Sequence, residues 1–120
     1  MKYDKTFLRN KFLLQRKKRY LKAKNFNFNF NLIFNLIRKH FYKKNITIGA
    51  YYPSYYEVNI LNFIKLASKK KFRIVLPVLK SSNKMCFKKW IFNEPLYVNK
   101  FGILEPNNSK KEIIPDLVMV

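Results

Sequence analysis

The chain has 120 residues, enough for one domain with a modest buried core and too few for two. Hydrophobic residues make up 48% of it and aromatic residues 18%, which favours a folded protein over a disordered one. A single cysteine, Cys86, excludes an internal disulfide framework and favours a reducing compartment. No signal peptide is visible, and no apolar run reaches the roughly 18 residues of a membrane span. We therefore expect one domain over residues 1–120 in a soluble cytoplasmic protein.

The charge balance is strongly basic, with 26 Lys and Arg residues against 6 Asp and Glu residues and a formal net charge of +20. Such a charge is typical of proteins that bind a nucleic acid, a nucleotide or a polycarboxylate. Codon usage is an equally simple explanation, because the abundant Lys, Asn, Ile, Phe and Tyr all have AT-rich codons. Composition alone leaves both explanations open.

Residues 3–22 have the pattern of a basic amphipathic helix, which Asp4 or Thr6 can cap. Apolar side chains recur near helical spacing at Phe7, Leu8, Phe12, Leu14 and Leu21. Lys5 and Arg9 are four residues apart and therefore share one face of this helix. They either hold phosphate oxygens or form part of a solvated basic face.

Residues 26–42 carry two competing patterns. The first residues alternate phenylalanine with asparagine, as a strand does, whereas the apolar residues from Phe26 to Phe41 also fit one helical face. The length exceeds that of a usual strand, so we expect a helix. His40, the only histidine, has no base or metal partner nearby, and we interpret it as a surface residue near the helix end.

A βαβ unit is predicted in the middle of the chain. Residues 46–57 open with an uncharged, β-branched run that ends in a sharp turn. Residues 57–68 have helical spacing, which puts Glu57 at a helix N-terminus at the mouth of that turn. Residues 72–78 form a nearly continuous apolar run, typical of a buried parallel strand that Pro77 should end. A right-handed crossover is expected, and such strand ends are where α/β proteins bind ligands.

The remaining segments complete a sheet. After a turn at residues 81–83, residues 85–92 predict an edge or hairpin strand. Residues 101–106 predict a loop, residues 107–111 a polar linker, and residues 113–120 another buried strand. A buried strand at the last residue suggests that a covering segment is missing. We therefore expect an open, mostly parallel α/β sheet flanked by helices and truncated at its C-terminus.

Several kinds of site are excluded by composition. One histidine and one cysteine cannot form the common zinc sites, and the two glycines cannot form a Gly-rich phosphate loop. Among the six carboxylates, Glu57 is the one at the predicted mouth. It either binds a ligand or stabilises a helix dipole, the latter worth about 0.3–1 kcal/mol. The tyrosines around it can stack on a flat ligand or pack in the core: Tyr51, Tyr52, Tyr55 and Tyr56.

Five short segments occur in an informative order. They are Lys-Thr-Phe-Leu-Arg at residues 5–9, Ala-Tyr-Tyr-Pro at 50–53 with Glu-Val-Asn at 57–59, Arg-Ile-Val-Leu-Pro-Val at 73–78, Phe-Gly-Ile-Leu-Glu-Pro at 101–106, and Ile-Pro-Asp-Leu-Val-Met-Val at 114–120. Each is weak alone, but the order and spacing are specific. Together they resemble the N-terminal part of the 5-formyltetrahydrofolate cyclo-ligase family, also called methenyltetrahydrofolate synthetases.

The resemblance implies an open α/β fold and a ligase of folate one-carbon metabolism that depends on ATP and Mg²⁺. ATP phosphorylates the formyl oxygen of 5-formyltetrahydrofolate, the neighbouring nitrogen attacks, and phosphate leaves to give 5,10-methenyltetrahydrofolate. It also implies that Lys5 and Arg9 contact ATP and that Glu57 and Tyr52 contact the folate, with Phe101 near the pterin. A monomer that binds neither membrane nor nucleic acid is expected.

One departure from the family limits this interpretation. The family continues into a Gly-rich loop that grips the phosphates and the substrate, and none of that loop is present in these 120 residues. We therefore expect the chain to be inactive by itself. Two other interpretations stay open: a small basic nucleic-acid-binding protein, and a remnant without a function.

Overall fold

The computed structural model describes residues 4–22, 29–54, 56–81, 83–107 and 109–120. In chain order the elements are α1 (Lys5–Lys22), α2 (Phe30–His40), β1 (Thr47–Gly49), α3 (Leu61–Lys69), β2 (Arg73–Ser81), β3 (Lys84–Lys89), β4 (Tyr97–Val98), β5 (Leu104–Glu105) and β6 (Leu117–Val118). Some predictions above concern residues outside these ranges: Tyr3, Phe26, Phe28, Tyr55, Ser82 and Asn108.

The main sheet has the strand order β3-β2-β1-β6. β1 pairs in parallel with β2, through Ile48 opposite Ile74, and with β6, through Ile48 opposite Leu117. β3 pairs antiparallel with β2 along its whole length and forms one edge. The predicted open, mostly parallel α/β sheet flanked by helices is therefore confirmed, as is the edge strand after the turn. β4 and β5 form a separate antiparallel ribbon that the sequence did not predict.

The hydrophobic core lies between the sheet and the helices α2 and α3. The ring of Phe34 in α2 stacks on those of Phe63 in α3 and Phe72, with centroids 5.2 and 5.4 Å apart. The Asn29 side chain accepts a hydrogen bond from the Leu32 N–H at 3.2 Å and so caps α2. The helix predicted in this region is therefore confirmed over Phe30–His40, and His40 is exposed at its end as expected.

Close packing at β1 depends on a glycine. A Cβ atom at Gly49 would lie 3.2 Å from side-chain atoms of Phe87 and Val118, and 3.3 Å from Pro115. These neighbours belong to β3, to β6 and to the segment before β6. The missing side chain therefore lets the central strand and the edges of the sheet approach one another.

α1 is confirmed as a helix, and its start is capped by Asp4, whose Oδ1 accepts a hydrogen bond from the Thr6 N–H at 3.3 Å. None of its 18 residues is buried. The basic residues are therefore at the surface, and so are Phe12 and Leu21, at 55% and 60% exposure. Within the described ranges, no helix combines the length and apolar composition needed to cross a bilayer.

Two predicted boundaries are wrong. α3 begins at Leu61 rather than at Glu57, as described below. Pro77 lies inside β2, which runs on to Ser81 because β3 pairs with it there. The last residue of β2 paired with β1 is Val75. The N–H and carbonyl groups of the odd-numbered residues of β2, such as Arg73 and Val75, point toward β1. The nitrogen of Pro77 points to the same side, beyond the last residue paired with β1, so its missing N–H costs no hydrogen bond between these strands.

The C-terminal segments are more structured than predicted at one place and less at another. The predicted loop at residues 101–106 contains β5, because Leu104 and Glu105 pair with β4. The strand predicted at residues 113–120 is confirmed in position and direction, but it pairs only over Leu117–Val118. Its predicted burial is wrong, because Leu117 is half-buried and Val118 is 49% exposed at the edge of the sheet.

Candidate functional site

The turn that follows β1 is closed by Glu57. Its Oε1 accepts hydrogen bonds from the Ser54 N–H at 2.9 Å and from the Ser54 hydroxyl at 3.0 Å. The Glu57 N–H in turn donates to the Ser54 carbonyl at 3.1 Å, and Tyr56 between them has a positive φ of 63°. Within the described residues no donor bonds to Oε2. The carboxylate therefore shapes the turn through Oε1, and its contact with a ligand stays a prediction.

Glu57 does not stand in the first turn of a helix. Ile60 is the N-cap of α3, and no acidic residue lies in its first turn. The positive φ of Tyr56 interrupts any earlier helix. The Asn59 side chain accepts a hydrogen bond from the Leu61 N–H at 3.0 Å and fixes the real start. The predicted alternative role, stabilisation of a helix dipole, is therefore wrong.

Tyr51 ties the end of β1 to the segment after the turn. Its hydroxyl donates to the Val58 carbonyl at 2.9 Å. Burial raises the pKa of Tyr51, the negative charge of Glu57 raises it further, and the positive charge of Arg16 acts in the opposite direction. Arg16 belongs to α1, and it lines the same groove as Tyr56 of the turn.

Tyr52, the second predicted folate contact, is half-buried against the core. Its ring meets the indole of Trp90 edge-on, with centroids 6.0 Å apart and an interplanar angle of 78°. Trp90 is 5% exposed and donates its Nε1–H to the Glu94 carbonyl at 3.1 Å. This geometry gives Tyr52 a packing role, and its contact with a folate stays a prediction.

Lys5 and Arg9 line one groove on α1, which we call the α1 groove. Its volume is about 470 Å³, and it is lined by Lys5, Leu8, Arg9, Phe12, Leu13 and Arg16. Neither Lys5 nor Arg9 forms an ion pair with a carboxylate of the described residues. The predicted pair is therefore brought together, and Arg16 joins it as a third cation.

A second groove lies between α1 and residues 56–62. Its volume is about 880 Å³. Phe12 and Arg16 line both this groove and the α1 groove. Across it, the rings of Tyr20 and Tyr56 meet edge-on at 5.6 Å. Arg16 therefore connects the α1 groove with the turn. Sequence reasoning missed it, although Arg16 stands seven residues after Arg9 and so shares its helix face.

A third concavity, which we call the hairpin cavity, lies between the end of β2 and the β4–β5 ribbon. Its volume is about 710 Å³. Phe101, 60% exposed, forms part of its wall, with the Lys100 ammonium 5.2 Å from the ring centroid. β2 ends here, so the cavity is at the carboxyl edge of the parallel strands, as is the turn of Glu57. Neither Glu57 nor Tyr52 lines this cavity or the two grooves.

Nothing in the described residues resembles a protein-built metal centre. No group of three or more His, Cys, Asp or Glu side chains converges there. Exposed lysines and arginines are suited to phosphate oxygens, and Mg²⁺ is commonly held by nucleotide phosphates with few protein ligands. The residues present therefore fit ATP on α1, and they fit Mg²⁺ only as an ion carried by the nucleotide.

These features define an α/β protein with an open, mostly parallel sheet and concave surfaces at its carboxyl edge. A solved protein of this fold is the 5,10-methenyltetrahydrofolate synthetase of Aquifex aeolicus, whose NMR structure matches with a TM-score of 0.57. The two sequences are 24% identical, and the match covers 88% of this chain and 57% of that one. No family model matches the sequence, and no curated protein matches it. The comparison establishes the fold.

Proposed function

We propose that this chain is a 5-formyltetrahydrofolate cyclo-ligase-like protein that binds ATP on α1 and a reduced folate at the carboxyl edge of the sheet. The observation that carries the proposal is the line of cations on α1. Arg16 shares a groove with Lys5 and Arg9, and it also lines the groove between α1 and residues 56–62. The likeness to a methenyltetrahydrofolate synthetase over 88% of the chain supports it.

The cations and the carboxylate have distinct parts in this proposal. Lys5 and Arg9 hold phosphate oxygens of ATP through charge-assisted hydrogen bonds, and Mg²⁺ arrives with the nucleotide. Arg16 extends the positive face toward the turn. The free Oε2 of Glu57 accepts a hydrogen bond from an N–H group of the pterin, which orients the ring.

The proposed reaction passes through an activated formyl group. The formyl oxygen of 5-formyltetrahydrofolate attacks the γ-phosphorus of ATP, and ADP leaves. The neighbouring amine nitrogen outside the pterin ring then attacks the activated carbon and loses its proton, phosphate departs with the former formyl oxygen, and 5,10-methenyltetrahydrofolate forms. The 120 residues contain two glycines and therefore no Gly-rich phosphate loop. We expect them to bind both ligands and to turn them over slowly or not at all without a partner segment.

Calorimetric titration of the purified chain with 5-formyltetrahydrofolate and, separately, with Mg-ATP tests the assignment. Glu57→Gln should weaken folate binding and leave ATP binding unchanged, whereas Lys5→Ala and Arg9→Ala should do the reverse. Lys11→Ala is the matched control, because Lys11 lies on α1 outside the α1 groove. Equal losses for both ligands in every variant, or no binding by the unmodified chain, would refute the proposal.

A nucleic-acid-binding protein is the second candidate, favoured by one observation. α1 carries eight basic residues and buries none of its side chains: Lys5, Arg9, Lys11, Arg16, Lys17, Lys18, Arg19 and Lys22. Filter binding of RNA and DNA across a salt series separates the candidates. Sequence-dependent affinity that persists at physiological salt would favour this one, whereas uniform binding that disappears steeply with salt reflects charge alone.

A further inference from the structure

Glu105 is a buried carboxylate at the edge of the hairpin cavity. It is 6% exposed, and its Oε1 accepts hydrogen bonds from the Leu79 N–H at 3.0 Å and from Asn99 Nδ2 at 2.7 Å. A carboxylate is taken out of water at a high free-energy cost unless such bonds are made. Its position is therefore determined by the two donors.

The bond to Leu79 continues the sheet where β1 has ended. Val75 is the last residue of β2 paired with β1, and Pro77 has no N–H. Leu79 is therefore the next residue of β2 that presents an N–H on the side of β1. The Glu105 carboxylate supplies the acceptor that a longer β1 would have supplied, and it fastens the β4–β5 ribbon to β2.

Asn99 connects Glu105 to the turn between β4 and β5. Its Oδ1 accepts hydrogen bonds from the Phe101 N–H at 2.8 Å and the Ile103 N–H at 3.0 Å. Gly102, with a φ of 76°, donates its N–H to the Asn99 carbonyl at 3.0 Å. One side-chain amide thus fixes both sides of the turn that carries the Phe101 ring.

We infer that Glu105 is a positioning residue. Through Asn99 it holds Phe101 at the wall of the hairpin cavity, where the ring meets a flat ligand. The identity of that ligand as a reduced folate rests on the proposed function, whereas the hydrogen-bonded relay from Leu79 to Phe101 does not. A cavity of about 710 Å³ with an aromatic wall and the lysines Lys80 and Lys100 fits a planar ring linked to a carboxylate group.

Amide hydrogen exchange of the whole chain, followed by NMR, tests the relay in three variants. Glu105→Leu removes the acceptor and should speed exchange at Leu79, Phe101 and Ile103 by about tenfold. Asn99→Ala should speed exchange at Phe101 and Ile103 and leave Leu79 unchanged. Glu105→Gln keeps an acceptor oxygen and should restore all three amides.

A core variant separates the relay from a general loss of stability. Ile64→Val acts on a fully buried side chain of α3, away from the ribbon, and should leave the relative exchange of the three amides unchanged. If Glu105→Leu does not fold, the exchange rates in Asn99→Ala and Glu105→Gln decide whether the relay exists. Uniform acceleration in Asn99→Ala, or failure of Glu105→Gln to keep the wild-type pattern, would overturn the inference.

Binding of 5-formyltetrahydrofolate tests whether the position of Phe101 affects the function. Phe101→Ala and Asn99→Ala should each weaken binding, and the double variant should be no weaker than the worse single variant, because both act through one ring. Additive losses would overturn the positioning role. If the unmodified chain does not bind 5-formyltetrahydrofolate, the proposed function fails, and the exchange pattern alone decides the relay.

Discussion

The contact between Asp116 and Thr47 provides the sharpest stability prediction. Asp116 lies immediately before β6, and its Oδ2 accepts a hydrogen bond from the Thr47 N–H of β1 at 2.8 Å. Its Oδ1 accepts another from the Lys43 ammonium at 2.9 Å. Thr47 is 5% exposed, so its N–H is buried and loses its acceptor when the carboxylate is removed. We predict that Asp116→Ala destabilises the fold because it leaves the Thr47 N–H without an acceptor.

The expected magnitude follows from the two partners. An unsatisfied buried donor costs about 1–3 kcal/mol, whereas an exposed ion pair contributes about 0–1 kcal/mol. The Lys43 side chain is 63% exposed, so its share is the smaller one. Asp116→Ala should therefore lower the free energy of unfolding by about 1–3 kcal/mol, or the Tm by roughly 4–15 °C. Lys43→Ala should cost less than about 1 kcal/mol.

Urea unfolding followed by circular dichroism measures both variants, and Asp116→Asn serves as the matched control because it keeps an acceptor for Thr47. The hydrogen bond from Thr47, and then Lys43, lowers the pKa of Asp116 below its usual value. The contribution of Asp116 is therefore full above the ordinary aspartate pKa and is lost as the pH falls toward the lowered one. A larger loss in Lys43→Ala than in Asp116→Ala would refute this reasoning.

Three further outcomes are expected. Glu57→Gln should lower the pKa of Tyr51 and Arg16→Ala should raise it, as read from NMR shifts; two changes of the same sign would contradict the arrangement of charges at the turn. Cys86 should react with a disulfide reagent more slowly than a free thiol at pH 8, because burial raises its pKa. Phe34→Ala should cost about 3–5 kcal/mol in urea unfolding, since the ring is 1% exposed between two others; a loss under about 1 kcal/mol would contradict the packing.

Hydrophobic periodicity was sufficient to predict the main sheet and its helices. The residues that pair β1 with β2 are buried and uncharged, except at Arg73. These residues stand out in the sequence as short apolar runs, which is why the strands could be predicted. The predicted start of α3 and the predicted end of β2 were wrong, because each depends on how one residue bonds to its surroundings. Glu57 looked like a first-turn acid, but it bonds back to Ser54, and Pro77 looked like a strand end, although its nitrogen faces a side without a partner strand.

The candidate site was predictable only in part. Lys5 and Arg9 lie in one groove as their spacing predicts, and the same spacing argument extended by seven residues would have found Arg16. Glu105 was out of reach, because its role depends on a contact with Leu79, 26 residues earlier in the chain. Periodicity reports which face of an element is buried, but it does not report which distant backbone donor a side chain meets.

The two glycines limit how far the sequence can change without loss of the fold. A Cβ at Gly49 would lie within 3.3 Å of Phe87, Val118 and Pro115, so a larger residue there would require neighbouring side chains to move. Gly102 has a φ of 76°, where residues with a Cβ are strained. Both glycines therefore occupy positions at which substitution should destabilise the fold, one through crowding in the sheet and the other through backbone strain in the ribbon turn.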